Sequence, residues 1–335
     1  MDLADLDVCD DVRCRGLCYL VSCLPCSDVT GIEYLPMNFH LPPPKEHGLE
    51  TPEAPVDGHF AGKLTEDLLW ELKGWIVLPV AALAIAGLMA VLIALLRVPG
   101  AEAVLPWTTQ TFFEKGLIAH VTFAFVVWYL GVQGALTVMA SAAAGPMSKG
   151  AVFTGRLGLS AAGMSFLLIL APVLLNLGDA SPNNYIPVLI HPVFFAGLTL
   201  LAVGLALPVL RLVIQVSARR SCEPVVFAVA ASGIIFLIAL ICLAAAWLTM
   251  PAEIPPNDAA ERVFWGMGHV MQFANTLLLM VGIYLLSRMT LGETPVSSRL
   301  FKLVAGAMVA GAFVAVNNQQ AVLDNNPNLN KIQGV

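Results

Sequence analysis

Three histidines interrupt long apolar stretches of this chain: His120, His191 and His269. An ionisable side chain inside a membrane is costly, and it marks a functional site by default. Imidazole is the commonest ligand for haem iron and a frequent one for copper. Haem in a low-spin state takes two axial ligands, and a copper site built from imidazoles usually takes three. The simpler reading is that each neutral imidazole hydrogen-bonds a neighbouring helix. The remaining histidines, His40, His47 and His59, lie in a polar N-terminal segment and read as solvated.

The elements that must position the three are membrane helices. Hydrophobic residues make up 58% of the 335, and charged residues 12%. Mean hydropathy is +0.80. A soluble domain is nearer 25% charged, so this chain cannot cover a water-facing surface of its size. Seven apolar runs suffice to cross a bilayer of about 30 Å. They are Gly74–Leu96, Gly116–Ala140, Leu157–Leu177, Tyr185–Leu210, Val225–Met250, Val263–Ser287 and Leu303–Val316, and none contains Asp, Glu, Lys or Arg. The expected fold is an all-α membrane bundle of about seven transmembrane helices, residues 74–316.

Loop charge orients it. Lys149, Arg156, Arg211, Arg219, Arg220, Arg288, Arg299 and Lys302 follow the even-numbered spans. Only Arg97, Lys115 and Arg262 follow the odd-numbered ones. The positive-inside rule then makes the N-terminus cytoplasmic, in the manner of a bacterial inner membrane protein. Spans 2, 4 and 6 start on the outer side, which puts His120, His191 and His269 at one depth in the outer third of the bilayer. Pro172 and Pro187 imply kinks in spans 3 and 4, and Pro192 bends the helix after His191.

The ends differ from the middle. Residues 1–60 hold 11 acidic and 3 basic side chains. They are Pro-rich and aperiodic, and read as a disordered tail. Cys9, Cys14, Cys18, Cys23 and Cys26 fall there. The Cys23–Cys26 pair has metal or redox spacing, but the odd count and the other gaps match no zinc ribbon. An upstream start, with Met37 nearer the natural N-terminus, accounts for the segment more simply. Residues 61–73 place Leu64, Leu68, Leu69 and Leu72 at helical spacing, capped by Thr65. They read as an interfacial amphipathic helix or as a plain extension of span 1. Residues 317–335 are Asn/Gln-rich and read as a polar tail. No basic patch with interleaved aromatics supports nucleic-acid binding.

The histidines have suggestive neighbours. Phe123, Phe125, Trp128 and Tyr129 follow His120 and suit a flat macrocycle, lipid or core equally. Gly131 and Gly134 allow close helix contact or room for a ring edge. His269 lies in Phe264-Trp-Gly-Met-Gly-His-Val-Met-Gln-Phe273. At these residues the chain resembles subunit I of the haem-copper oxidase superfamily, the core of terminal oxidases and nitric oxide reductases. The resemblance covers about residues 74–316, seven spans of an expected twelve. It implies that His120 is an axial ligand of a b-type haem. It matches Trp265, Gly266, Gly268 and His269 to the turn that brings a copper ligand. It also implies electron transfer to oxygen or nitric oxide, a quinol or cytochrome c donor, and other membrane subunits of a respiratory-type complex.

The departures are specific. The oxidase branch follows its sixth-span histidine with Pro-Glu-Val-Tyr, where this chain has Val270, Met271, Gln272 and Phe273. Leu303–Val316 holds no histidine, and no later span supplies further haem ligands. His191 matches no family position. A truncated or frameshifted reading frame is one expectation that follows. Two other readings stay open: a bis-histidine membrane cytochrome using two of His120, His191 and His269, and a cofactor-free transporter or scaffold. Charge-free spans argue against a proton-coupled carrier.

Overall fold

Apolar runs of this length satisfy their backbone polar groups internally only as helices. The computed structural model describes residues 64–100, 103, 108–182, 186–219, 221–251 and 253–325. The N-terminal cysteines and the tail read over residues 1–60 lie outside the described residues.

Helix α1 spans Glu66–Leu95, with the Thr65 side chain accepting from the Leu68 amide. It is unbroken, so residues 66–73 are its first turns rather than a separate surface helix. The second span is one long element in three parts: α2 (Thr109–Val121), a π-helical turn (Thr122–Val127) and α3 (Trp128–Ala144). Helix α4 is Lys149–Leu174, capped by Ser148. A two-stranded antiparallel hairpin follows, β1 (Asp179–Ser181) and β2 (Val188–Ile190), pairing Asp179 with Ile190. Then come α5 (Pro192–Ser217), α6 (Pro224–Leu248), α7 (Pro256–Leu291) and α8 (Ser298–Asn325).

Seven helices are long and apolar enough to cross a membrane. The fourth begins later than its apolar run. Residues 186–190 enter the hairpin region and strand β2, and Pro192 opens α5 at its first position, where a missing N–H costs nothing. Pro187 therefore lies outside any helix, and neither it nor Pro192 kinks a span. Helix α8 also runs past Val316 to Asn325, so the first part of the polar tail is helical.

Small residues set the closest helix crossings. Gly158 and Gly204 place α4 and α5 backbone to backbone: a Cβ at Gly158 would overlap the Gly204 carbonyl. Gly131 and Gly134 admit Pro79 and Trp75 of α1. On α8, Gly311 faces the ring of Phe273 on α7. The outer surface carries Val77, Val80, Leu88, Val91, Ile214, Leu279 and Ile283 exposed, a lipid-compatible coat.

Candidate functional site

His120 ends the regular part of α2, and its Nδ1 is 2.9 Å from the Ala86 carbonyl of α1. A carbonyl oxygen can only accept, so Nδ1 carries the proton and the lone pair of the neutral ring sits on Nε2. That tautomer, fixed by a backbone acceptor, is how ligating imidazoles are commonly held. The π turn starts two residues on, an insertion frequent at functional sites. Within it the Thr122 hydroxyl donates to Pro187 O at 3.2 Å, tying the hairpin to this point of the span. Shortly before the hairpin in sequence, Asn176 Oδ1 accepts from the buried Lys115 ammonium at 2.7 Å.

His269 has the same tautomer by a different route. Its Nδ1 is 2.9 Å from the Trp265 carbonyl one turn earlier, and the two rings stack tilted with centroids 4.6 Å apart. One turn further on, Gln272 is exposed on the outer face of α7.

His191 differs. It is the N-cap of α5, extended at φ −151°, and its Nδ1 lies 3.3 Å from the Val193 amide. An amide can only donate, so Nδ1 accepts and the proton sits on Nε2. His191 is therefore not inside a span, as its apolar run had suggested, and its ring performs the capping task usual for Ser or Asp.

The three do not form one cluster. Helix α7 packs chiefly on α6 and α8, whereas α2 packs on α1, α4 and the hairpin. Among the described residues, no three His, Cys, Asp or Glu side chains are grouped to hold one metal ion. A single axial haem contact fits His120 by tautomer. A three-imidazole copper site does not fit at His269 from the described residues of this chain. The aromatic set near His120 also divides. Phe123 is buried against Phe166, with ring centroids 4.7 Å apart and edge-on, while Phe125 faces outward. The space at Gly134 is filled by Trp75, which leaves no room there for a macrocycle edge.

Sequence reasoning missed a charged pair inside the bundle. Glu71 of α1 and Arg211 of α5 form a bidentate ion pair, both buried. Glu71 falls in the first turns of α1, and Arg211 falls inside α5 rather than in the loop after it. The periodicity held the signal: Glu71 falls in the stripe of Leu68, Leu72, Trp75 and Leu78, and Arg211 follows Leu201, Leu205 and Pro208. The helices extend beyond the charge-free apolar cores, so the membrane-crossing helices do carry charge at these two residues, and a proton-coupled carrier is no longer disfavoured on that ground.

The fold and these side chains define an all-α, multi-pass membrane protein. The sequence matches no protein-family model and no solved structure. It is similar to an uncharacterized protein of Aquifex aeolicus (strain VF5), 31% identical over 217 residues, covering 64% of this chain and 53% of the relative. It is also similar to the uncharacterized protein RP382 of Rickettsia prowazekii (strain Madrid E), 24% identical over 246 residues, covering 66% of this chain and 48% of the relative. The chain spans about half the length of these curated relatives.

Proposed function

We propose that this protein is a haem-binding membrane subunit of the haem-copper oxidase type, with His120 as an axial ligand of a b-type haem. The observation that carries the reading is the Nδ1–H···O=C bond to Ala86, which directs Nε2 as the donor atom. His269 is held in the same tautomer and is the second candidate ligand, for haem or copper. Haem supplies one-electron transfer when bound. The chain's own contribution is to fix the ring of His120 against α1 and to surround it with apolar helix, which excludes water.

The amide of Gln272, exposed at the middle of a span, is costly against lipid. It supports further membrane subunits against α7, with copper ligands beyond His269 coming from outside the described residues. The donor would be quinol or cytochrome c, the acceptor oxygen or nitric oxide. Loop charge supports an inner-membrane location with a cytoplasmic N-terminus, and the asymmetry persists without Arg211. The tautomer of His191 disfavours it as an Nε2 ligand, and His120 and His269 lie on helices that pack on different neighbours, so a bis-histidine cytochrome within the described residues is the weaker reading.

A second reading, a cofactor-free carrier, is favoured by the buried Glu71–Arg211 pair. The purified full chain separates the two. A pyridine haemochrome spectrum showing b-type haem near one equivalent supports the first reading, and copper analysis reports on His269. Protein without haem absorbance after expression with ample haem supports the carrier.

A further inference from the structure

Helix α3 carries a polar ridge that the proposed haem role does not use. Tyr129, Gln133, Thr137 and Ser141 follow one another at intervals of four, along the row where helices interdigitate. Gln133, Thr137 and Ser141 are completely buried. Helix α3 packs on α1, α5 and α6, so the ridge runs through the interior of the bundle.

Several of its polar atoms have no partner. Among the described residues, the Tyr129 hydroxyl, Gln133 Oε1 and Ser141 Oγ are buried without a hydrogen bond, and so is the Trp75 indole nitrogen of α1, whose ring lies over Gly134. Gln133 Nε2 reaches Ser232 of α6 only at 3.5 Å. Thr137 donates to the Gln133 carbonyl at 2.7 Å, and Ser165 similarly bonds back to Ala162. Ser141 makes no such bond back into its own helix, although a serine there can do so freely.

Spacing and chemistry identify what fits. Four residues rise about 6 Å along a helix. Among the described residues none of the four side chains bonds to the side chain of the next, and one bridging molecule with two hydrogen bonds of about 2.8 Å spans a gap of that size. The orphaned atoms mix a donor only (indole N–H), an acceptor only (Gln133 Oε1) and two hydroxyls that do both. An anion needs donors and a cation needs acceptors. Water satisfies all four, and buried water typically makes two to four such bonds.

We propose that this seam is an internal water site, a short file of ordered water molecules bridging Trp75, Tyr129, Gln133 and Ser141. It extends roughly 18 Å along α3. One end lies next to the π turn beyond His120, and the other nears Ala144 at the end of α3. The file stands independently of haem binding.

Hydroxyl-radical footprinting by X-ray pulse, on the full chain in lipid nanodiscs, tests it. Radicals formed from bound water label the side chains beside it, however deeply buried. Trp75 should label several-fold faster than the equally buried Phe123, Phe194 and Phe236, after correction for intrinsic reactivity, and Tyr129 should follow Trp75. A Gln133→Leu, Ser141→Ala variant should lose most of that excess while exposed Trp70 and Trp247 keep their rates. Trp75 labelling no faster than the buried phenylalanines overturns the proposal. So does an excess unchanged in a folded variant. If the double variant does not fold, the wild-type comparison decides.

Discussion

Glu71 and Arg211, 140 positions apart in sequence, meet in a two-pronged ion pair: Oε2 to Nη1 at 2.9 Å and Oε1 to Nη2 at 2.8 Å. Their side chains are 0% and 3% exposed. Arg211 Nη1 also donates to the Ala151 carbonyl at 3.2 Å, so the pair joins α1, α4 and α5. Gly155 of α4 makes the meeting possible, because a Cβ there would overlap both the guanidinium and the carboxylate.

Removing one partner leaves an uncompensated buried charge, which typically costs about 3–5 kcal/mol. Glu71→Leu and Arg211→Met should each lower the thermal unfolding midpoint in detergent sharply. The two together should recover much of that loss, since apolar replacements for a buried pair are often nearly neutral. Gly155→Ala should destabilise in the same direction. A double variant no better than the worse single one would show that the pair is not an energetic unit.

Trp75 fills the notch at Gly134, and Pro79 fills the one at Gly131. Gly134→Leu should overpack the α1–α3 crossing and cost about 1–3 kcal/mol. Gly282, which faces open space, should accept alanine with little change in midpoint. Equal losses at the two positions would contradict the crossing described.

The seven spans were legible because bilayer thickness dictates length and apolarity directly. The ends were not. The runs at Tyr185–Leu210 and Leu303–Val316 are bounded by hydropathy, whereas the helices are bounded by Pro192 and extend past Asn317. The positions of His120 and His269 within spans were legible; their tautomers were not, since the acceptors are the carbonyls of Ala86 and Trp265. His191 was misplaced because Val188-Leu-Ile190 reads equally as helix or strand, and only the hairpin pairing decides. The π turn at Thr122–Val127 has no composition signal; it packs against α1. The pairing of Glu71 with Arg211 was not legible, because 140 positions separate the two in sequence.

Cys222 lies between α5 and α6, outside the spans. Burial pushes its thiol pKa up, and the nearby Lys302 and Arg219 cations offset this only in part. Less thiolate therefore forms at a given pH than in an ordinary cysteine of pKa about 8.5. Alkylation of Cys222 by iodoacetamide should be slow at pH 8 and rise only above the usual thiol range. The folded-state pKa is raised, so the stability it contributes is present below the unfolded pKa and lost as pH climbs through the folded one. A labelling profile with its midpoint at or below the ordinary value would contradict this.

The central claim, that the Nε2-directed imidazole of His120 holds haem, is tested most directly by reduced-minus-oxidised spectra of the purified chain and two variants. The wild type should show a b-type haem signature. His120→Ala should abolish or severely weaken it. His191→Ala should keep it, while losing about 1 kcal/mol of stability with its helix cap. A signature that survives His120→Ala, or that disappears with His191→Ala in a folded protein, would contradict the assignment.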